Sequence, residues 1–115
     1  MTPRTRRCLA DLLDHAAAAG RLVERGRAAY DADEMLRYAA EDLLIRLGET
    51  VARIDRDDPG FVDAHPRLEL RRVKDARNLV AHGYDVVDSA IVWSIVATNV
   101  PAVAAEVEAL LTSDG

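Results

Sequence analysis

The chain is 115 residues long, which suits one domain able to bury roughly two-thirds of its unfolded surface without disulfide or metal staples. Half of its residues are apolar and 30% are charged, which excludes an intrinsically disordered chain. The net charge of −5 excludes a protein that coats nucleic acid through a broad cationic face, but leaves room for a local site built on a few arginines.

Aromatic residues make up only 4%, while Ala, Leu, Val, Glu, Asp and Arg dominate, a mixture that favours helix over sheet. Cys8 is the sole cysteine, so an intrachain disulfide and a cysteine-rich metal site are both excluded. Uninterrupted apolar runs stay short of the roughly 18–20 residues that span a bilayer. The N-terminal "MTPRTRRCLADLLDH" turns acidic before a signal-peptide core forms. These features predict a soluble, cytoplasmic protein without a membrane partner.

The first predicted helix covers about 5–26, with Leu9, Leu12, Leu13, Ala16, Gly20 and Val23 on one stripe and Gly26 as its stop. In "DADE", Asp31 is the predicted N-cap of the second helix, with Glu34 completing a capping box. Leu36, Ala40, Leu43, Leu47, Val51 and Ile54 then recur every three or four residues. Residues 55–66, "DRDDPGFVDAHP", read as a loop. A third long helix is predicted from near Arg67, with Val73, Ala76 and Val80 inward and fraying near Gly83. Asp88 caps a short helix bearing Ile91, Val92, Ile95 and Val96. Asn99 caps the last one, with Pro101 in its first turn and Val103, Val107, Leu110 and Leu111 as its apolar edge. No stretch sustains a period of two. The predicted fold is therefore all-α: an up-and-down bundle of four main helices plus a short one, residues 1–115 forming a single domain.

One stretch carries more than packing. "DARNLVAHGYDVVD", residues 75–88, brings Arg77, Asn78, His82 and Tyr84 within eight positions. At about 100° per residue, Arg77 and Tyr84 share a face, Asn78 and His82 share a neighbouring one, and Arg77 and His82 stand about 140° apart. Arginine offers a planar fork of donors for phosphate oxygens, and histidine exchanges a proton near neutral pH. The trio is a kit for metal-independent RNA cleavage: a ribose 2′-hydroxyl attacks its phosphate, His82 moves a proton, and Arg77 steadies the phosphoryl charge. Taken alone, the spacing better fits a solvated arginine and a histidine serving the helix C-terminal dipole.

The motif has a wider context. Arg77-Asn78, His82, Gly83 and Tyr84 match the arginine–x4–histidine–x–tyrosine pattern of HepT-like proteins, small helical ribonuclease domains of the HEPN superfamily. "LGETVARI" (47–54) resembles the family's Ile-Gly-Glu-Ala segment. "VVDSAIVWSIVATNVPAVAAEVEALL" resembles its Val-Asp…Ile-Val-Trp segment and final helix. The likeness covers about 30–111.

The resemblance implies a homodimeric HEPN-like bundle in which two copies of the motif face each other. It implies an endoribonuclease without metal or other cofactor, the toxin of a type VII-like pair. The implied antitoxin is an MNT-type nucleotidyltransferase that adenylylates the motif tyrosine, here Tyr84, in an assembly that can become hetero-oligomeric. A two-fold axis would also bring Arg77 of one chain near His82 of the other. Many relatives carry tryptophan and proline shortly before the Arg-Asn pair; this chain has "PRLELRRVKD", which alters the path into the helix.

Arg71, Arg72 and Lys74 are candidates for further RNA contacts, or equally a solvated face. Glu49 is a candidate support near the motif, and Gly48 marks a close helix approach. Asp75 is expected to pair with Arg71 or Arg72. His15 and His65 share no metal-ligand spacing with His82. Tyr30, Tyr38 and Trp93 read as packing or interface residues. The alternative reading is a catalytically inactive HEPN subunit that docks a nucleotidyltransferase.

Overall fold

In the computed structural model, which describes residues 1–81 and 87–114, every regular element is helical. Helix α1 runs Pro3–Glu24. The Thr2 side chain accepts from the Thr5 amide, and Pro3 sits where its missing N–H costs nothing. The buried Thr5 hydroxyl donates to Asp58 at 2.9 Å, tying the start of α1 to a distant loop. The buried stripe is Cys8, Leu9, Leu12, Ala16, Ala19 and Leu22, so Leu13, Gly20 and Val23 lie at its edge rather than its centre.

Gly26, at φ 90°, turns the chain into α2, Arg27–Ala32. This short helix absorbs Asp31, which pairs with Arg27 at 3.0 Å instead of capping the next helix. The cap is Asp33, accepting from the Met35 amide at 2.9 Å, and α3 runs Glu34–Asp57. The correction has a simple cause: "DADE" holds two competent caps, and an arginine four residues before Asp31 engages the first.

The 55–66 segment, expected as a loop, is largely helical: α3 continues to Asp57, α4 spans Phe61–Ala64 and a 3-10 turn Pro66–Leu68, so only 58–60 and His65 lie outside helix. Glu69 then takes a left-handed backbone, φ 53°, and α5 spans Leu70–Ala81. Its start falls three residues beyond Arg67, because the Pro66 turn and Glu69 reset the direction first. The expected fraying at Gly83 lies outside the described residues, as do His82 and Tyr84.

Asp88 caps α6, Ser89–Ser94, by accepting from the Ala90 and Ile91 amides. The helix does not stop there. A π turn at Ile95–Asn99 leads directly into α7, Val100–Asp114, so Asn99 is not a cap and the short and final helices are continuous. The Val100 amide reaches back to the Ile95 carbonyl, and this wider register accommodates Pro101, which has no N–H to give and would crowd the preceding α turn. The joined helix 89–113 is long and apolar enough to cross a membrane by length and composition, which counting uninterrupted apolar runs did not reveal. Its Val92, Val96, Val100, Val103 and Val107 point into the core, the pattern of a bundle helix.

The molecule measures 42 × 28 × 19 Å, about two helices thick. Helices α1 and α3 pack side by side, α7 lies against α1, and α5 packs mainly on α3 at the edge. Tyr30 fastens α2 to α6: its ring is fully buried 4.9 Å from Trp93, and its hydroxyl donates to the Ser89 carbonyl at 2.7 Å. Burial raises the phenol's pKa above its ordinary value, so it remains a donor. Tyr38, by contrast, is exposed. Replacing Tyr30 with phenylalanine removes only that hydrogen bond. Urea unfolding is expected to show a loss of about 0.5–1.5 kcal/mol with an unchanged m-value.

Candidate functional site

Glycine 48 sits on the α3 face that meets α5, and it is there because nothing larger fits. A Cβ built on it would lie 2.1 Å from the Cβ of Arg77 and 2.8 Å from its Cγ. The arginine stem therefore crosses α3 in contact with bare backbone, as the expected close approach requires. Its guanidinium emerges half-buried on the far side. Nε is buried and has no hydrogen-bond partner, while Nη1 donates to the exposed Asn78 side chain at 3.4 Å, a weak contact. Among the described residues no carboxylate pairs with Arg77.

Arg77 opens into a cleft of about 470 Å³ between α1, α3 and α5. The α3 wall supplies Arg46, Glu49, Thr50, Ala52, Arg53 and Arg56, and α1 supplies His15. Glu49, expected near the motif, thus lines the same cleft as Arg77. His82 and Tyr84 lie outside the described residues.

The other predicted cations sit elsewhere. Lys74 is tied to Asp55 at 3.0 Å, Arg72 lies 3.8 Å from Glu69, and Arg71 pairs with Asp63, which raises its pKa chiefly through their hydrogen bond. None of the three lines the Arg77 cleft. Asp75 does not take the expected pairing, because nearer carboxylates hold both arginines. It borders instead an apolar groove of about 300 Å³ on another flank of α5, with Leu79, Ile95 and Val103. His65 is structural: its Nδ1 donates to the Phe61 carbonyl at 2.9 Å and its ring stacks on Phe61.

The arginine row on α3 and His15 were not among the predicted site residues. The signal was available: positions 46, 49, 50, 53 and 56 fall in a sector of about 120° on a helix. Each also reads as an ordinary solvated face residue, and only the fold brings α5 alongside.

Residues 12–110 match the family model described as Ribonuclease HepT-like. The chain belongs to the HepT-like ribonuclease family. The family lies within the HEPN superfamily, and its all-α bundle is the fold seen here. Among curated proteins, a "Putative RNase" of Methanocaldococcus jannaschii is similar, 32% identical over 76 residues, 66% of this chain and 67% of that protein. No solved structure matches.

The Gly48–Arg77 crossing gives a sharp test within this HepT-like chain. Alanine is usually the better helix residue by about 1 kcal/mol, but at position 48 its methyl would push α5 away. Gly48→Ala is expected to destabilise by roughly 1–3 kcal/mol, the usual cost of overpacking. Gly20→Ala in α1, with nothing within 4 Å of the added methyl, should instead be neutral or stabilising. Denaturant midpoints of the two variants, measured side by side, separate a steric requirement from helix propensity.

Proposed function

We propose that the chain, acting as one HEPN-like domain, is a metal-independent endoribonuclease: the toxin of a type VII-like HEPN/MNT pair in the cytoplasm. The observation that carries this reading is the state of Arg77. A guanidinium is held against α3 by a residue with no side chain, has a buried donor without a partner, and opens on an arginine-lined cleft. Such a group is prepared for an anion.

In this mechanism the ribose 2′-oxygen attacks the adjacent phosphorus and gives its proton to His82. The bond to the 5′-oxygen breaks, that oxygen takes a proton from water, and a 2′,3′-cyclic phosphate remains. Arg77 stabilises the charge on the non-bridging oxygens, and Asn78, in contact with the guanidinium, orients it. Because Arg77 and His82 are about 140° out of phase on one helix, a homodimer that supplies the two from different chains is the simplest arrangement. The position of α5 supports this: it is an edge helix, Leu79 is exposed, and an apolar groove lies beside it. An MNT-type nucleotidyltransferase would silence the enzyme by adenylylating Tyr84, since an added phosphate repels RNA and fills the cleft.

The second reading, an inactive subunit that docks the nucleotidyltransferase, draws on the acid partners of Arg71, Arg72 and Lys74. Cleavage separates the two. Purified protein in chelator should convert RNA to fragments ending in cyclic phosphate. His82→Ala should lower the rate by about 10²–10⁴, and Arg77→Ala by about 10²–10³. Full activity in His82→Ala would remove that residue from the mechanism.

Silencing has its own test. Co-expression with a cognate MNT-type nucleotidyltransferase should leave Tyr84 carrying AMP by mass spectrometry and relieve growth arrest. Tyr84→Phe should stay unmodified and toxic; relief of that variant would place silencing elsewhere.

A further inference from the structure

The α3 wall of the cleft is built in a way that cleavage at one phosphate does not require. Arg46, Arg53 and Arg56 follow one another across ten residue steps, about 15 Å of helix axis. Phosphates in a helical strand recur every ~3.4 Å along the axis, so the row is long enough to meet several. Thr50 is buried and organises it: its hydroxyl donates to the Arg46 carbonyl at 2.8 Å and accepts from Arg53 Nη2 at 3.3 Å. Arg46 spends its Nε on Asp42 at 2.7 Å, and that carboxylate holds the guanidinium in place while its Nη groups stay available. Arg53 and Arg56 have looser, solvent-facing partners, Asp11 at 3.8 Å and Asp57 at 3.6 Å. Exposed pairs of this kind contribute little and exchange readily for a better anion.

We infer that this wall is a phosphate-binding subsite for an RNA backbone, with Arg46, Arg53 and Arg56 as its donors, Thr50 as their positioning residue and His15 closing the opposite side. The inference rests on the ribonuclease reading for its substrate class but not on the catalytic roles. With Asp11, Asp42 and Asp57 beside three of the arginines and Glu49 on the rim, recognition comes from placed donors rather than from surplus charge. The site therefore selects a strand that can follow the groove, and the salt dependence of binding is moderate.

The test uses the full chain and a single-stranded 2′-O-methyl RNA, which lacks the attacking hydroxyl and stays intact. Affinity by fluorescence anisotropy is followed across a salt series for wild type, R46Q/R53Q/R56Q and R46K/R53K/R56K. A matched control, R21Q/R25Q/R27Q, alters three exposed arginines outside the cleft. Circular dichroism melts confirm that all four fold.

The cleft glutamine variant should bind at least about tenfold more weakly, with a log–log salt slope reduced by roughly 1–2, since each lost single-strand phosphate contact removes about 0.7. The lysine variant should fall between, because it keeps charge and loses the fork. The control should bind like wild type. Equal losses in the cleft and control variants, or none in the cleft variant, overturn the subsite. Wild-type protein that binds through the cleft yet never cuts 2′-hydroxyl RNA sinks the catalytic reading and leaves the subsite standing. Protein that binds no RNA overturns both.

Discussion

The absence of a side chain at Gly48 fixes how close α5 can come to α3, and most of the candidate site follows from that distance. Were the helices a methyl group further apart, the Arg77 stem would lose the backbone it lies on, and its guanidinium would swing freely in solvent. Instead three methylenes are clamped and the charged end is delivered to one place. Long side chains usually spend rotamer entropy when they bind. Here folding has already spent it, which is what preorganisation means for an anion site. The same contact joins stability to function, since a substitution that moves α5 also moves Arg77.

This delivery is not free. A buried donor with no partner costs about 1–3 kcal/mol relative to a satisfied one, and Arg77 Nε is such a donor. Packing does not explain it, because a shorter apolar side chain could cover Gly48 without burying a polar atom. Elsewhere the fold satisfies its buried hydroxyls with care: Thr5 reaches Asp58, Tyr30 reaches Ser89, and Thr50 reaches the Arg46 carbonyl. Against that background the bare Nε of Arg77 stands out among the described residues, and the proposed function gives it a phosphate to meet.

Much of the fold was legible because helical periodicity is a long signal that single residues cannot spoil. The stripes through Leu9, Leu12 and Ala16 and through Ala40, Leu47, Val51 and Ile54 are buried as their spacing requires. Boundaries were less legible because several residues compete for each role. Asp31 and Asp33 are both capping residues, and Arg27 decided between them. Asn99 and Pro101 look like a helix start, yet a π turn lets the chain continue. The site divided in a similar way. Arg77, Asn78 and Glu49 stand out in a recognisable motif, and the role of Gly48 follows from its lack of a side chain. The α3 arginines and His15 do not announce themselves. Each is an unremarkable surface residue on its own helix, and they become a wall only when three helices separated in sequence meet around one cleft.

A net charge of −5 and an RNA-acting family are compatible because affinity depends on the local field, not on the total. The acids that make the chain anionic are not spread at random. Asp42, Asp11, Asp57, Asp55, Asp63 and Glu69 each pair with a basic side chain, while Arg77 has no carboxylate partner among the described residues. Arginines paired on the open surface, such as Arg27 with Asp31 and Arg71 with Asp63, attract a passing polyanion weakly, so non-specific coating is suppressed. The Arg77 guanidinium lining the cleft, without a carboxylate partner among the described residues, would keep its full attraction for a phosphate under the proposed function. On the proposed ribonuclease reading, a cation without a carboxylate partner in that cleft would favour a strand that threads to it over one that merely lies on the outside. On this account, the charge that first seemed to argue against an RNA-acting protein becomes a source of its selectivity.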